Sequence, residues 1–494
     1  MPASARRLTA VQLDRAAGVL VAAAVGDALG AGYEFQAPCP AETVKMLPGA
    51  LTRRPAGSWT DDTDMAMAIA QVGATGVRLD EGEGLGAVAA RFADWYASHP
   101  PDIGNQTRAV LSAAPVGSTM PNAMQASAED YQDRHPNAAG NGSLMRTGPV
   151  ALTGLGDDER ILASASAISA LTHPHALARE ACQIWCIAID RAIREGRLDG
   201  VHDGLALIEP DGHGYWHDAI AQAETLPIDT LRRTNGFVVA ALQSAWRAIV
   251  STEHLSGPAH LEGALRQAVA IGGDTDTVAA IAGALLGARY GASAVPFAWR
   301  RCLSGWPKEI GHGDLVPLAI LAVNGGKADP AGWPTEGDLM PHYERSNHPI
   351  GLVGALAGHD GVLWGDVAGL DRAEADAFVS LCRIGREQRR GEEHHEVWLQ
   401  DNSSNADPVF VLTDTADAIE ALRTEIGTVF VHCVRSESRT PTVAAAWLVR
   451  HRGLQVDDAI ALVRSSLRNA FTNHNPQLLD ALSRVRPATT EGRP

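Results

Sequence analysis

Residues 57–70, GSWTDDTDMAMAIA, place three acids and three hydroxyl residues directly before an apolar run with helical spacing. Such side chains suit a helix N-terminus, because their oxygens accept hydrogen bonds from unpaired backbone N–H groups and their charge complements the helix dipole. The pattern recurs in residues 271–287, IGGDTDTVAAIAGALLG. Two interpretations remain open: two independent helix caps, or two helix starts that meet at one shared site.

If the two segments meet, they bring four carboxylates together. Asp61, Asp62, Asp274 and Asp276 carry four negative charges, which two divalent cations would balance. Neither segment contains His or Cys, so all ligand atoms would be oxygen. An oxygen-only set favours the hard ions Mg²⁺ or Mn²⁺ over Zn²⁺.

The composition limits the class of protein. A chain of 494 residues is too long for one ordinary core, and two or three domains are expected. It is 45% hydrophobic but only 5% aromatic, which favours cores of Ala, Leu and Val in close-packed helices. The net charge of -17 argues against non-specific binding to nucleic acid or to an anionic membrane.

The cysteines and the N-terminus indicate the compartment. Six cysteines are scattered without zinc-like spacing, which favours a reducing cytoplasm. Arg6 and Arg7 precede the apolar stretch AAGVLVAAAV, which has the outline of a signal peptide. That stretch is far shorter than the roughly twenty residues of a membrane span, and it reads better as a buried helix. We therefore expect a soluble, cytoplasmic protein.

Three regions differ in their patterns. Residues 11–325 repeat apolar positions at helical spacing and predict an all-α domain, with Gly- and Asn-rich loops such as PDIGNQTRA and AAGNGSLMRTGPVA between helices. Residues 326–345 are polar, rich in Pro and Gly, and predict a linker. In residues 346–490, the β-branched run TVFVHC between helical segments predicts an α/β domain.

Six segments of the first domain occur together. They are GDALGAGYEF (26–35), GSWTDDTDMA (57–66), DIGNQTR (102–108), GNGSLMRTGP (140–149), THPH (172–175) and IGGDTDTVAAIAGALLGARYG (271–291). In this order they resemble the ADP-ribosylglycohydrolase family over roughly the first 325 residues. The resemblance implies an all-α fold with two Mg²⁺ or Mn²⁺ ions at the bottom of a cleft that holds the terminal ribose of an ADP-ribosyl group.

The resemblance also implies site residues. The metal ligands would be Thr60, Asp61, Asp62, Asp274, Asp276 and Thr277. Glu34 matches an acid near the scissile bond, Asp102 matches a residue near the substrate ribose, and Glu34 or Asp62 would activate the water.

The GNGSLM loop is the expected pyrophosphate contact, through the backbone amides of Gly140, Gly142 and Ser143, and Asn141 is a further expected substrate-binding residue. His173 is a further substrate-binding residue that the resemblance favours. Two alternatives stay open without the resemblance: Asn141 and its glycines as only a tight turn, and His173 and His175 as the end or cap of a helix, which is the commoner role of a lone HPH sequence.

The second domain contains VFVHCVRSESRTPTVAAAWL (429–448), in which five residues separate Cys433 from Arg439 between a strand and a helix. A loop of this length at a helix N-terminus forms an anion cradle from backbone amides. The segment resembles the protein tyrosine and dual-specificity phosphatases, which implies Cys433 as nucleophile, Arg439 as phosphate clamp and Thr440 as the hydroxyl that helps to expel the thiolate. Asp401 is the expected general acid, with Asp407 in reserve.

Two residues depart from the phosphatase pattern. Ser436 stands where these enzymes usually have Gly, and Glu437 adds a negative charge to a loop that should attract anions, unless Arg435 pairs with it. The domain is therefore either catalytic or a phosphate-binding module.

The favoured hypothesis is a bifunctional hydrolase that releases ADP-ribose from arginine on protein and carries a Cys-dependent phosphatase-like domain. Serine-linked or small-molecule ADP-ribose conjugates are the alternative substrates, and a phosphorylated substrate is expected for the second domain. Two other hypotheses stay open: a single active site with a C-terminal binding module, and a metal-dependent phosphoesterase in the helical domain. The acceptor linkage and the choice between Mg²⁺ and Mn²⁺ do not follow from the sequence.

Overall fold

The computed structural model describes residues 8–80, 82–114, 121–227, 230, 235–306, 312–328, 350–385 and 388–488. The chain divides into two compact units, Met1–Val295 with Trp299–Asp329, and Pro296–Ala298 with Pro330–Pro494. The linker predicted over 326–345 lies mostly outside the described residues, so its bounds and those of the two domains stay predictions. Within the described ranges, no helix combines the length and the apolar character that a membrane span requires.

The first unit is helical, as the periodicity predicts. Its helices in the described residues are α1 (Ala10–Gly30), α2 (Asp61–Gly73), α3 (Gly82–Ala97), α4 (Asn105–Ala113), α5 (Pro121–Arg134), α6 (Gly148–Thr153), α7 (Asp158–Ala170), α8 (Ala176–Glu195), α9 (Gly200–Leu207), α10 (Pro210–Thr225), α11 (Val238–Ser251), α12 (Gly257–Ala270), α13 (Thr275–Tyr290) and α15 (His312–Val323). The short helix α14 (Phe297–Arg300) includes residues assigned to each of the two units. The stretch PDIGNQTRA, read as a loop from the sequence, is helical from Asn105 onward, because α4 begins there.

Helices α1 and α13 pack against each other in antiparallel directions through small residues. A Cβ atom on Gly18 would lie 2.2 Å from the carbonyl oxygen of Gly287, and one on Gly30 would lie 2.4 Å from Cα of Asp276. Any larger residue at these positions would force the two backbones apart. The close approach places the C-terminal end of α1 directly beside the first turn of α13.

The second unit contains a five-stranded sheet and four helices in the described residues. These elements are β1 (Val353–Leu356), β2 (His359–Asp366), β3 (Ala377–Ser380), β4 (His394–Glu396), α16 (Pro408–Glu425), β5 (Val429–Cys433), α17 (Arg439–Arg452), α18 (Val456–Ser466) and α19 (Pro476–Arg484). The strand order is β1-β2-β5-β3-β4, and every pair except β1–β2 is parallel. The observed folds of both units confirm the predicted fold class.

Strand β5 lies at the centre of this sheet and is buried along its whole length. Val431 and Cys433 belong to the larger apolar core on one face, whereas Phe430 belongs to a smaller core. Because side chains alternate along a strand, the side chain of His432 lies on the same face as Phe430. The loop from Cys433 to Arg439 therefore leaves the carboxyl end of a central parallel strand and enters α17.

Candidate active sites

Asp27, near the end of α1, holds the N-terminus of α2. Its Oδ1 accepts hydrogen bonds from the backbone N–H and the hydroxyl of Thr60, both at 2.9 Å. Its Oδ2 accepts from the backbone N–H of Thr63 at 3.0 Å and from the Thr63 hydroxyl at 2.6 Å. Asp27 is thus a helix cap supplied by another helix, and it lies in the motif GDALG although the sequence did not indicate this role.

The two acidic segments converge. One carboxylate oxygen each from Asp27, Asp62 and Asp276 lie within 4.8 Å of one another, and the same holds for Glu34, Asp102 and Asp276. Asp276 belongs to both sets, so these carboxylates form a single acidic centre. Of the two interpretations that the sequence left open, the geometry favours a shared site over two independent caps.

Asp62 has an oxygen that the described part of the chain does not satisfy. The side chain is 1% exposed. Its Oδ2 lies 2.9 Å from the Thr60 hydroxyl, whereas its Oδ1 is buried and has no hydrogen-bond partner among the described residues. A buried carboxylate oxygen without a partner is costly unless a cation or water binds it.

The remaining acids of the centre each contact a neighbouring backbone or amide. Asp61 Oδ2 accepts from the backbone N–H of Gly104 at 3.0 Å, which ties α2 to the loop that contains Asp102. Asp276 Oδ1 accepts from the backbone N–H of Thr277 at 3.0 Å. The Thr277 hydroxyl lies 4.0 Å from the sulfur of Met145.

Asn141 and Asn235 orient Asp274. The Asn141 amide donates to Asp274 Oδ2 at 2.7 Å and to the carbonyl oxygen of Asn235 at 3.0 Å. The Asn235 side chain accepts from the backbone N–H of Asp274 and donates to the carbonyl oxygen of Gly272. Asn141 therefore belongs to the acidic centre rather than to an isolated turn. Asn235 was missed, because a single Asn in TNGF carries no motif.

Burial and mutual repulsion keep these acids from losing their protons easily. Burial is the main cause that raises the pKa of Asp61, Asp62 and Asp276 well above the usual value, and nearby carboxylates add to it. Burial, followed by the charge of Asp102, raises the pKa of Glu34 to about 9. Such a cluster needs positive charge before all of its members can ionise together.

The glycine loop packs against His173. A Cβ on Gly142 would lie 2.9 Å from Cε1 of His173, so the ring occupies the space that a side chain would need. His173 is buried, its Nδ1 lies 2.7 Å from the Thr172 hydroxyl, and burial together with Arg146 lowers its pKa to about 3. Neutral His173 supports the loop from behind. His175 instead caps α8, because its Nδ1 accepts from the backbone N–H of Leu177.

Two other groups near the motifs are structural. Asp64 accepts hydrogen bonds from the indoles of Trp59 and Trp95, at 2.7 and 3.1 Å. Arg146 is fully buried, donates to the Thr172 hydroxyl at 2.6 Å, and lies 4.5 Å from the centre of the Phe92 ring. The third aspartate of the opening stretch therefore holds the helical core instead of joining the acidic centre.

The residues present fit a divalent cation. The set is made of oxygen donors from buried carboxylates and threonines, one carboxylate oxygen lacks a partner within the described ranges, and the site concentrates negative charge. Asp27 fits less well than the others as a ligand, since both of its oxygens already accept hydrogen bonds from Thr60 and Thr63.

In the second unit, the Cys433 loop is organised around Asp401 and Arg439. The Ser438 hydroxyl donates to Asp401 Oδ1 at 2.7 Å, and Arg439 Nε lies 3.8 Å from Asp401 Oδ2. Arg439 Nη1 donates to the carbonyl oxygens of Leu381 and Leu399 at 2.6 and 3.2 Å. The structure thus brings the predicted acid and the predicted arginine together beside the loop.

The other predicted residues of this loop have definite places. The Thr440 hydroxyl donates to the carbonyl oxygen of Gly365 at 3.2 Å. Asp407, the reserve acid, caps α16 by accepting from the backbone N–H of Phe410 at 3.0 Å, so Asp401 is the better candidate. Ser436 adopts a positive φ of 59°, a conformation that favours glycine. Arg435 lies 3.8 Å from Glu437, the pairing that the sequence left as a condition.

A chain of hydrogen bonds with a fixed direction runs behind Cys433. The backbone N–H of Arg390 donates to His394 Nδ1 at 2.8 Å, so in the neutral His394 ring the proton lies on Nε2. This Nε2 donates to Ser380 Oγ at 2.8 Å. The Ser380 hydroxyl then donates to His432 Nε2 at 2.7 Å. The proton of His432 therefore lies on Nδ1, 3.4 Å from the carbonyl oxygen of Cys433.

The helical unit has an acidic centre between two helix N-termini, and the α/β unit has a cysteine loop between a strand and a helix. These features define a two-domain protein with a candidate site in each domain. Residues 8–327 match the model of the ADP-ribosylglycohydrolase family, and residues 374–484 match that of the dual specificity phosphatase catalytic domain. The first match spans more than half of the chain. The chain belongs to the ADP-ribosylglycohydrolase family and carries a C-terminal domain of the dual specificity phosphatase type, as its motifs predict.

Individual relatives agree with this assignment. The chain is 26% identical to ADP-ribosylarginine hydrolase Tri1 of Serratia proteamaculans, over 58% of this chain and 74% of that protein. It is 29% identical to the ADP-ribosyl-[dinitrogen reductase] glycohydrolase of Rhodospirillum rubrum, over 58% and 89%. A solved structure described as an ADP-ribosylglycohydrolase-related protein complex matches with a TM-score of 0.50 and 26% identity, over 64% of this chain and 99% of that one.

Proposed function

We propose that the helical unit is a dinuclear-metal hydrolase that cleaves the glycosidic bond between ADP-ribose and arginine on protein. The observation that carries this proposal is the acidic centre, in which Asp62 and Asp276 approach within 4.8 Å and the buried Asp62 Oδ1 lacks a partner within the described ranges. The match of residues 8–327 to the ADP-ribosylglycohydrolase family supports hydrolysis of a glycosidic bond as the type of reaction.

In this proposal the centre holds two Mg²⁺ or Mn²⁺ ions. The ligands are Thr60, Asp61, Asp62, Asp274, Asp276 and Thr277. When bound, the ions would hold the ribose hydroxyls and polarise water, which is the chemistry that hard divalent cations supply. The raised pKa values of the acids support the proposal, because a cation would let these buried carboxylates ionise.

The protein's own residues would manage the protons. Hydrolysis breaks the bond between the anomeric carbon and the guanidine nitrogen, joins a water oxygen to that carbon, and transfers a proton to the departing nitrogen. In the metal-free site, burial and the charge of Asp102 raise the pKa of Glu34 to about 9. Its carboxyl group lies within 4.8 Å of oxygens from Asp102 and Asp276, which places it to give that proton. Asp62 is the carboxylate that would accept a proton from the attacking water.

The substrate would extend from the acidic centre along the glycine loop. Asp102, in the second oxygen set, would contact the ribose. Gly140, Gly142 and Ser143 would turn backbone amides toward the pyrophosphate, with the neutral His173 holding the loop in shape. The backbone N–H of Asn141 instead donates to the carbonyl oxygen of Gly236 at 3.2 Å. The similarity to the ADP-ribosylarginine hydrolase Tri1 of Serratia proteamaculans favours arginine as acceptor. Serine-linked and small-molecule conjugates are the competing substrates.

The test is release of free ADP-ribose from arginine-, serine- and nucleotide-linked conjugates, each with Mg²⁺, Mn²⁺ or chelator. We expect metal-dependent release from the arginine conjugate, loss of roughly a hundredfold or more in Asp276→Asn, and unchanged activity in Asp130→Asn, an exposed carboxylate of α5. Release of phosphate in place of ADP-ribose would instead favour a phosphoesterase.

For the second unit we propose a Cys-dependent phosphatase. Cys433 Sγ would attack phosphorus, Arg439 would bind two phosphate oxygens, and Asp401 would give a proton to the leaving oxygen. Water would then hydrolyse the phosphocysteine, and Thr440 would donate a hydrogen bond to the departing thiolate. The contact of Ser438 and Arg439 with Asp401 supports this arrangement.

A phosphate-binding module is the second candidate for this unit, because Ser436 and Glu437 depart from the enzyme pattern. Turnover of p-nitrophenyl phosphate that Cys433→Ser abolishes would support catalysis. No turnover, combined with binding of inorganic phosphate that Arg439→Met weakens, would support the module. Arg389→Met, which removes an arginine that pairs with Glu396, is the matched control.

A further inference from the structure

Beside the acidic centre, a buried acidic residue is followed directly by an exposed aromatic one. Glu34 is 8% exposed, whereas the next residue, Phe35, is 64% exposed. Burying a carboxyl group and exposing a phenyl ring both cost free energy. A single exposed apolar residue is ordinary on a protein surface, but an exchange of this kind beside a catalytic acid calls for a functional reason.

The backbone holds Phe35 firmly in this arrangement. Its φ is 53°, in the left-handed region that L-residues with a side chain rarely adopt. Its N–H donates to the carbonyl oxygen of Gly273 at 2.7 Å, and Gly273 directly precedes Asp274. The backbone of Phe35 is therefore tied to the loop that supplies the second acidic segment, and strain of this sort is concentrated at functional sites.

Phe35 begins the exposed rim of the site. The carboxyl group of Glu34 lies within 4.8 Å of oxygens from Asp102 and Asp276, at the acidic centre. Residues 35–38 are all exposed, and Phe35 is the aromatic residue among them. In the proposed reaction Glu34 gives a proton to the leaving nitrogen, so the acceptor lies next to Glu34 and near its exposed neighbour Phe35.

We infer that the ring of Phe35 recognises the acceptor by stacking on the guanidinium group of ADP-ribosylated arginine. This inference rests on the proposed function of the helical unit. A guanidinium plane binds well to an aromatic face. A serine-linked conjugate offers no group that the ring could hold in this way.

The experiment compares Phe35→Ala, Phe35→Tyr and Phe35→Gly with the wild-type full chain. We expect Phe35→Ala to lower kcat/KM for ADP-ribosylarginine by roughly five- to thirtyfold, mainly through KM, and Phe35→Tyr to keep the wild-type value. The affinity for free ADP-ribose, measured by calorimetry, should stay within about twofold in all three variants, because that ligand lacks the acceptor.

Phe35→Gly separates the effect of losing the aromatic ring from the effect of relieving backbone strain, since glycine adopts a positive φ without cost. Equal losses in the Ala and Gly variants support stacking by the ring. Wild-type activity in Phe35→Gly, or an unchanged kcat/KM in Phe35→Ala, would overturn the inference. A matching loss of ADP-ribose affinity would also overturn it, since the ring would then bind the adenine.

Failure of the proposed function can be told apart from failure of the inference about Phe35. In the first case, wild-type protein would release no ADP-ribose from the arginine conjugate with either Mg²⁺ or Mn²⁺.

Discussion

Replacing Asp62 by Asn should change the thermal stability of the helical unit in opposite ways with and without metal. The carboxylate oxygens of Asp62 and Asp276 lie within 4.8 Å. Two unit charges at that distance repel by about 3.5 kcal/mol at an effective dielectric constant of 20. Protonation of one carboxyl relieves most of this repulsion in the metal-free protein, so the gain from removing the charge is smaller, about 1 kcal/mol.

The opposite effect comes from binding. A cation at one hundred times its dissociation constant stabilises the native state by about 2.7 kcal/mol. For a unit of this size that corresponds to a rise in Tm of about 5 °C. Asparagine keeps an oxygen that can accept from the Thr60 hydroxyl but removes the charge that holds the cation. The variant should therefore melt at or slightly above the wild-type temperature in chelator, and show no metal-induced rise.

The assay is differential scanning calorimetry of the full chain in EDTA, Mg²⁺ and Mn²⁺, with Asp130→Asn as the control that keeps the metal response. A variant that responds to metal like the wild type would refute the role of Asp62 as a ligand. A variant destabilised by several kcal/mol in EDTA would show that the carboxylate is a structural acceptor.

Three further predictions concern the second unit. Ser436→Gly should raise its free energy of unfolding in urea by about 0.5–1 kcal/mol, because relief of roughly 1–2 kcal/mol of left-handed strain exceeds the entropy cost of glycine. Burial raises the pKa of Glu420, but hydrogen bonds from Arg423 and Arg452 outweigh this effect and lower the pKa to about 2. The stabilisation of the folded state by ionised Glu420 is therefore complete above pH 4.5 and is lost as the pH falls toward 2. Glu420→Gln should therefore cost about 1–3 kcal/mol at pH 7 and little at pH 2, in urea titrations at both pH values. Ser380→Ala should cost about 1–3 kcal/mol, measured the same way, because it leaves the buried Nε2 atoms of both His394 and His432 without their partner.

Matched variants make these outcomes specific. Ser465→Gly, at the second-last residue of α18, should not stabilise the unit, since no positive φ is relieved there. Glu392→Gln, at an exposed position, should leave the pH dependence intact. If both glycine variants are more stable than the wild type, relief of strain at Ser436 is not the cause. If the wild type and Glu420→Gln show equal pH dependence, the ion pairs of Glu420 do not stabilise the fold. If Ser380→Ala keeps the wild-type stability, the hydrogen bonds of Ser380 do not contribute to it.

The sequence indicates the chemistry of both sites better than it indicates the part each residue plays. The segments TDDTD and GDTDT could be predicted as acidic helix starts, because acids and threonines before an apolar helical run are a local signal. Asp61, Asp62 and Asp64 look alike in that signal. Asp64 nevertheless serves two tryptophans, whereas Asp62 faces Asp276. Asn235 and Asp27 act through partners far along the chain, and no local pattern reports such partners.

By itself the sequence determined the order of an all-α and an α/β unit, the two acidic helix starts and the five-residue loop after Cys433. These are consequences of periodicity, turn residues and short spacings, which act over a few residues. The tertiary structure decided that the acidic segments meet, because small residues let α1 approach α13 until Gly30 touches Asp276, while Asp27 of the same helix caps α2. It also decided that Phe35 is exposed while Glu34 is buried. Contacts between residues more than two hundred positions apart depend on how helices pack, and packing is a property of the whole fold.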